Sequence, residues 1–246
     1  MIQVGVVLPT FRETPEGALD VAHRAFAAGV DGVFCYDHLW PIGQPDRPAL
    51  APFPILATLA AEVKNSRGVV GGPFFGTLVA RIGLVPNTVV EAQFTALAQL
   101  APGRVIAGLG TGDRLSEAEN RAYGIPFASA AQRRRDMVDV ARALRERGLE
   151  VWLAGGGAAR TEESRAAGAA LNVWNAAPDV VADRSQGPEA VEVTLGGPPP
   201  KDETVLRATV RDQAAAGATW VIFATPIDPD MLVAAAREVG DAGDRI

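Results

Sequence analysis

The chain has 246 residues, of which 48% are hydrophobic and 21% charged, and its formal net charge at pH 7 is −6. A chain of this length and composition can bury a large core without disulfides or a structural metal. The acidic balance argues against a nucleic-acid partner, and no apolar run approaches the roughly 20 residues that a membrane-spanning helix needs.

Eight short apolar runs along the chain have the pattern of buried strands. They are Gln3–Pro9, Gly32–His38, Ala80–Pro86, Arg104–Gly110, Glu150–Gly155, Leu171–Asn175, Ala190–Gly196 and Thr219–Thr225. Their interiors are almost continuously apolar, which is typical of parallel strands covered on both faces. The first run begins directly at the N-terminus, without the features of a signal peptide.

Helical patterns separate these runs. They are Thr14–Ala28, Phe53–Lys64, Val89–Leu100, Ala130–Arg147, Thr161–Ala167, Pro178–Ser185 (very short), Lys201–Ala216 and Pro229–Val239. The first opens with Thr14 as N-cap and ends at Gly29. The proline-rich segment Trp40–Pro54 and the glycine-rich segment Ser66–Gly76 are expected to be irregular.

Eight strand–helix alternations without a break in composition predict one (β/α)8 TIM barrel, parallel and eight-stranded, over residues 1–246. Such barrels contain about 250 residues and place their sites in the loops at the C-terminal ends of the strands. Functional side chains are therefore expected at those strand ends.

The strand-end segment Tyr36–Trp40 is the strongest candidate. His38 can exchange a hydrogen bond or a proton with a bound ring, and Asp37 could fix its orientation. Trp40, and Trp174 at another strand end, offer flat apolar pocket walls. From residue type alone, a strand-end histidine bonded to a loop carbonyl is an equally good interpretation.

Two glycine-rich turns form the next candidates. In the Gly108–Asp113 turn, Gly110 and Thr111 would approach a planar ligand closely, although glycine alone favours the simpler interpretation of a tight turn. Gly155, Gly156 and Gly157 precede a helix, where free amides favour an anion such as a cofactor phosphate. Gly196-Gly197 is a rival for that phosphate, since barrel phosphate sites often follow strands seven and eight.

Metal binding is not predicted. The two histidines, His23 and His38, lie far apart, and Cys35 is the only cysteine, so no ligand spacing is present. A single cysteine also excludes an intramolecular disulfide and indicates a reducing, cytoplasmic location.

Taken together, several segments in this order resemble the bacterial-luciferase-like superfamily, in particular its coenzyme F420-dependent branch. They are GVDGVFCYDHL, ARIGLVPNT, EAQFTALAQLAPGRVIAGLGTGD, YGIPFASAAQRRRDMVDVARAL, VWLAGGG and LNVWN. The resemblance covers nearly the whole chain. It implies a flavin or deazaflavin ring stacked over the barrel mouth.

The resemblance also implies roles for individual residues. Asp37 and His38 match the acid–histidine pair beside the reactive ring edge, and Asp113 matches a proton donor, although the relatives have Glu there. Ser116 matches a polar cofactor contact, and Gly155 and Gly156 match the phosphate loop. Gly83 and Leu84 match the cofactor-supporting third-strand position, where the family carries a non-prolyl cis peptide.

The resulting hypothesis is hydride transfer between coenzyme F420 and a small organic molecule. Alternatives are an FMN-dependent monooxygenase and a non-catalytic flavin-binding relative, the latter suggested by the short segment after the sixth strand. A homodimer is expected, because the apolar helices at Phe53–Lys64 and Val89–Leu100 exceed what one core-facing stripe needs and relatives dimerise in this part of the barrel.

Overall fold

A computed structural model of the chain describes residues 2–67 and 72–243. The strands in this part are β1 (Gln3–Val7), β2 (Gly32–Cys35), β3 (Phe74–Thr77), β4 (Ala80–Arg81), β5 (Val105–Gly110), β6 (Glu150–Ala154), β7 (Ala170–Trp174), β8 (Val193–Gly197) and β9 (Ala218–Ala224). All pairings among them are parallel, so their C-terminal ends meet at one mouth.

The helices surround the strands. They are α1 (Glu16–Ala28), α2 (Pro52–Arg67), α3 (Asn87–Leu100), α4 (Ser116–Ala122), α5 (Ala130–Glu146), α6 (Ala158–Ala167), α7 (Pro178–Gln186), α8 (Glu203–Ala215) and α9 (Pro229–Gly243). Among the described residues no helix is both long and apolar enough to cross a membrane.

The sheet closes on itself. Its hydrogen-bonded order is β3-β2-β1-β9-β8-β7-β6-β5-β4, and a further β3–β5 pairing completes the ring. Because β3 and β4 are two parts of one barrel position, the nine strands occupy eight positions. The predicted parallel (β/α)8 barrel is confirmed.

The third barrel strand lies earlier than the sequence predicted. Ala80–Pro86 was expected to be the strand, but β3 and β4 end by Arg81. Gly83 follows in a turn with φ of +91°, a conformation that ends a strand and that glycine adopts easily. The expected irregular segment Ser66–Gly76 instead contains the end of α2 and the start of β3, while residues 68–71 lie outside the described part.

Glycine inside β3 concealed this strand. A Cβ on Gly76 would lie 2.8 Å from the Phe34 ring and 2.9 Å from the Ile106 carbonyl oxygen. The glycine therefore makes room for a large aromatic side chain across the barrel, a non-local requirement. In the sequence it resembles a loop residue.

Two helix predictions also need correction. Thr14 was expected to cap α1, but the helix begins at Glu16 after Pro15 and has no side-chain cap, while its end at Gly29 (φ 89°) agrees with prediction. The seven-residue α4 was not predicted at all. This omission matters, because α4 carries a residue of the candidate site.

The barrel interior is filled by aromatic rings. Phe34, Trp152 and Trp220 are all fully buried, and Phe34 stacks on Trp152 with centroids 5.3 Å apart while meeting Trp220 edge-on at 5.8 Å. These rings fill the barrel interior, so a ligand that binds at the C-terminal mouth lies among the loops above them.

Candidate active site

A cavity of about 440 Å³ opens at the C-terminal mouth of the barrel. Its lining residues are His38, Leu78, Val79, Asp113, Ala154, Gly155, Gly156, Asn172, Val173, Trp174, Ala176 and Val180. Small-molecule pockets usually measure about 300–1,000 Å³ and are mainly apolar with a few polar groups, which describes this cavity. Five of the predicted residues meet here: His38, Asp113, Gly155, Gly156 and Trp174.

His38 is held by a glutamate that the sequence did not reveal. Its Nδ1 lies 2.8 Å from Oε1 of Glu119 on α4, and the Glu119 Oε2 accepts the Leu39 backbone N–H at 2.8 Å. One carboxylate thus fixes both the ring and the backbone that follows it. With Nδ1 engaged, Nε2 is the ring nitrogen left for a bound ligand.

Glu119 lies in a buried ionic cluster. Its side chain is 1% exposed, and Arg81, 4% exposed, approaches it at 3.5 Å. Burial opposes ionisation of Glu119, but the bonds from His38 and Leu39 and the charges of His38 and Arg81 outweigh it, so the pKa of Glu119 lies below its ordinary value. The carboxylate is therefore charged at neutral pH and orients His38.

Glu119→Gln is expected to lower the free energy of unfolding at about pH 7 by roughly 1–3 kcal/mol, since Arg81 loses its buried charge partner. A depressed carboxyl pKa contributes stability above the ordinary value of 4.5 and loses it as pH falls through the lower folded-state value. The difference in the free energy of unfolding between wild type and variant should therefore narrow below pH 4.5. Urea titrations over a pH series measure it.

Glu117→Gln is the matched control for this measurement. Glu117 lies on the same helix but pairs with the exposed Arg121, so its removal should change stability little. If the stability difference between wild type and Glu119→Gln stayed constant down to acidic pH, the Glu119 carboxylate would not be the charged partner of Arg81.

Asp37 does not orient His38, contrary to prediction. Its Oδ2 accepts the Arg81 backbone N–H at 2.9 Å. Asp37 and His38 both follow the last residue of β2, and the two neighbours face different partners. Burial raises the pKa of Asp37, an effect that the Arg81 N–H and charge and the charge of His38 only partly offset. Asp37 thus ties β2 to β4.

Asp113 lines the cavity, while Ser116 does not. The Asp113 Oδ1 accepts the backbone N–H groups of Leu115 and Ser116 at 2.8 and 3.1 Å. Ser116 is buried, and its Oγ accepts the Asp113 N–H at 3.2 Å. The serine therefore shapes the turn that presents Asp113, and only Asp113 can reach a ligand in the cavity.

The glycines of β5 accommodate the neighbouring Thr77–Val79 segment. A Cβ on Gly108 would lie 2.1 Å from the Thr77 carbonyl oxygen, and one on Gly110 would lie 2.4 Å from Val79 Cγ2. Gly110, predicted to approach a ligand, thus admits the Leu78–Val79 segment, which itself lines the cavity. Thr111 contributes a carbonyl that accepts Arg133 Nε at 2.7 Å.

The expected cis peptide lies elsewhere. It joins Leu78 and Val79, between β3 and β4, rather than Gly83 and Leu84. Because the third strand ends earlier than predicted, Gly83 and Leu84 belong to the turn before α3. The Gly83 carbonyl accepts Asn120 Nδ2 at 3.0 Å and Leu84 is buried, and neither residue lines the cavity.

The Gly155–Gly157 segment forms one wall and leads into α6. Gly155 has φ of +141° and donates its N–H to the Asn172 carbonyl at 2.9 Å. At Gly156 and Gly157 an added Cβ would meet nothing within 4 Å, and Gly157 is the N-cap of α6. Open backbone at a helix N-terminus suits an anionic group.

The two predicted tryptophans have different positions. Trp174 is 49% exposed at the cavity rim and meets Tyr36 edge-on at 6.3 Å. Trp40 is buried, with its ring 5.9 Å from Tyr123, and does not line the cavity. Trp174 can therefore contact a ligand, while Trp40 anchors the loop after β2.

Reasoning from the sequence missed Glu119, Arg81 and Asn172. Asn172 precedes Trp174 by two positions on β7, so strand alternation places it on the same side; this signal was available. Its Nδ2 donates to Thr194 Oγ1 at 2.9 Å. Glu119 and Arg81 lie far from His38 in sequence. In the described part of the chain no group of three or more His, Cys, Asp or Glu could hold a metal ion.

The fold and this cavity define a TIM-barrel protein whose candidate ligand site lies in the βα loops. The sequence model of the luciferase-like monooxygenase family matches residues 2–227, and the chain belongs to that family.

Curated relatives extend well beyond this chain. The F420-dependent glucose-6-phosphate dehydrogenase of Kineococcus radiotolerans is 30% identical over 185 residues, which cover 75% of this chain and 48% of the relative. The F420-dependent hydroxymycolic acid dehydrogenase of Mycobacterium tuberculosis is 38% identical over 114 residues, covering 46% of this chain and 30% of the relative. The chain thus spans half or less of these relatives.

Solved structures share the fold at low identity. An F420-dependent secondary alcohol dehydrogenase in complex with an F420-acetone adduct has a TM-score of 0.74 at 14% identity, covering 97% of this chain and 99% of that one. A coenzyme F420 dependent tetrahydromethanopterin reductase from Methanopyrus kandleri has a TM-score of 0.67 at 12% identity, covering 98% and 99%.

Proposed function

We propose that the chain is a cytoplasmic oxidoreductase that transfers a hydride between coenzyme F420 and a small organic substrate. The observation that carries this proposal is His38, held by buried Glu119 at the edge of a ligand-sized cavity. The F420-dependent dehydrogenases among the relatives support the choice of cofactor. Cys35, a buried free thiol, suits a reducing compartment.

The cavity fits a deazaflavin. Leu78, Val79 and Val173 supply apolar surface for a flat ring, and Trp174 adds an aromatic rim. At another wall, the open backbone of Gly156 and Gly157 can receive a phosphate of the cofactor tail. When bound, coenzyme F420 supplies the hydride donor or acceptor, and the barrel supplies orientation.

His38 and Asp113 are the residues able to move a proton in this cavity. Hydrogen bonding of Nδ1 to Glu119 holds the imidazole so that Nε2 faces the ligand, where it can accept or donate a proton. The Asp113 carboxyl is fixed through Oδ1, which leaves Oδ2 for exchange with a substrate oxygen. Leu78, Val79 and Val173 limit water around these groups.

The family's description as luciferase-like monooxygenase favours a second candidate, oxygen activation by reduced FMN. A non-catalytic flavin carrier is the third. Fluorescence titration of the purified protein with F420 and with FMN, followed by consumption of the reduced cofactor with and without oxygen, separates them. Substrate-dependent, oxygen-independent turnover of F420 is expected. Oxygen-dependent consumption would show a monooxygenase, and tight binding without turnover over a substrate panel would show a carrier.

We also propose that the protein forms a homodimer through the α2–α3 side. Phe53 of α2 packs edge-on against Phe94 of α3 at 5.0 Å, while Val85 and Val89 remain exposed at 37% and 41%. Light scattering at micromolar concentration should give about twice the 25.7 kDa of one chain, and Val89→Glu should shift it to the monomer. A monomeric mass for the wild type would rule the dimer out.

A further inference from the structure

A second cavity at the barrel mouth lies between the ends of β1, β2 and β9. It measures about 210 Å³ and is lined in part by Thr10, Phe11, Arg12, Tyr36 and Arg47. Two of its lining residues are arginines, and none is acidic. The wider groove next to it is lined by the same two arginines together with Glu13 and Asp46. The cavity, here called the arginine cavity, therefore presents two cationic side chains and has no acidic residue in its own lining.

A buried hydroxyl in this cavity lacks a partner. Thr10 is 1% exposed, and within the described residues its Oγ1 makes no hydrogen bond. The Thr10 carbonyl, in contrast, accepts the N–H groups of Arg12 and Leu50 at 3.0 and 2.8 Å. Because buried polar groups are nearly always hydrogen-bonded, an unpaired hydroxyl this close to the cavity favours a polar ligand there, toward which the buried Oγ1 must first turn.

The two arginines are available to an anion. Arg47 is placed over the end of β1 by Gln44 Oε1 at 2.9 Å and the Phe11 carbonyl at 3.4 Å, which use two of its five N–H donors. Within the described residues neither Arg12 nor Arg47 has a carboxylate partner. Guanidinium groups bind carboxylate and phosphate through paired hydrogen bonds.

The arginine cavity lies next to the candidate active site. The Phe11 ring stacks on Tyr36 with centroids 5.6 Å apart and lies 6.3 Å from the His38 ring. Tyr36 in turn contacts Trp174 on the rim of the larger cavity. The two cavities are thus separated by the thickness of the Phe11–Tyr36 ring pair, within reach of one small molecule.

We infer that Arg12, Arg47 and Thr10 bind a carboxylate or phosphate group of the substrate, whose reacting carbon lies beside His38. The substrate class is therefore a small organic acid or phosphate ester. This inference rests on the proposed function only for the position of the reacting carbon beside His38; the binding of the anionic group does not depend on it. The anionic tail of the cofactor is the other source of the same chemistry, and the two sources make different predictions.

Inorganic phosphate tests the site without turnover. In NMR titrations of the cofactor-free protein, the Nε–Hε signals of Arg12 and Arg47 should shift saturably with phosphate. Arg12→Gln and Arg47→Gln should each weaken binding about tenfold or more, the usual worth of a charged hydrogen bond. Thr10→Val should weaken it less. Arg24→Gln, which removes the same charge from an exposed position on α1, should have no effect.

Cofactor titrations separate the two sources of the anion. If the substrate is the ligand, both arginine variants bind F420 and a deazaflavin lacking its phosphate and acidic tail as tightly as wild type. If the variants weaken only the tailed form, the arginines belong to the cofactor and the inference is wrong. Unchanged phosphate titrations in both variants would also overturn it. Neither result depends on catalysis, so failure of the proposed function would be seen separately.

Discussion

His38→Ala is expected to lower turnover about 10²–10⁴-fold, the usual contribution of a positioned acid–base or hydrogen-bonding group. Cofactor affinity should change little, because the substitution leaves the apolar surface of Leu78, Val79 and Val173 and the Gly155–Gly157 segment intact. Steady-state kinetics give the turnover, and fluorescence titration gives the affinity. Full activity of His38→Ala on an identified substrate would make His38 a structural residue only.

Gly156→Asp is expected to have the opposite effect to His38→Ala, on cofactor binding rather than on turnover. An added side chain there meets open space, so the substitution should not disturb the fold, but its carboxylate would repel a phosphate at the α6 N-terminus. We expect weaker cofactor binding and nearly normal turnover at saturation. Gly156→Ala, with the same backbone change and no charge, should behave as wild type. Equal effects from Asp and Ala would argue against a phosphate at this position.

Gly108→Ala is expected to have the largest effect on stability. The new methyl group would lie 2.1 Å from the Thr77 carbonyl oxygen, and Thr77 is itself fixed, since its Oγ1 donates to the Gly108 carbonyl at 2.7 Å. Neither backbone can yield without breaking the β3–β5 closure. We expect a loss of about 3 kcal/mol or more in the free energy of unfolding, or no folded protein.

Gly17→Ala provides the control for Gly108→Ala. Gly17 lies in α1, and a Cβ there meets nothing within 4 Å, so alanine should stabilise the protein by about 0.4–1 kcal/mol through the unfolded state. Urea denaturation of both variants compares them directly. A Gly108→Ala protein as stable as wild type would contradict the close packing of β5 against the Thr77–Val79 segment.

The barrel could be predicted because its signals are local. Apolar runs alternate with amphipathic ones, and each run carries its own pattern. The third strand was misplaced because its glycine, Gly76, is explained only by Phe34 on a neighbouring strand, and no local rule distinguishes such a glycine from a loop residue. The run after Arg81 looked like a strand because it is apolar, although Gly83 turns the chain there.

The candidate site was predictable in part for a similar reason. Strand ends identify His38, Asp113 and Gly155, since every parallel strand delivers its last residues to the same mouth. The partner of His38 could not be found this way. Asp37 was adjacent in sequence and chemically suitable, whereas Glu119 lies 81 residues away on a helix of seven residues, too short to show a periodic pattern.

The double role of Glu119 limits how this scaffold can be re-engineered. Because one carboxylate holds both His38 and the Leu39 backbone, residues 37–39 and 113–120 cannot be exchanged independently, and a graft of either loop alone would leave a buried charge behind. The opposite rim has looser requirements: Val180 is 37% exposed and contributes only apolar surface to the cavity. Libraries aimed at new substrates should therefore vary the exposed residues 177–180 and transfer the segments that carry His38 and Glu119 together.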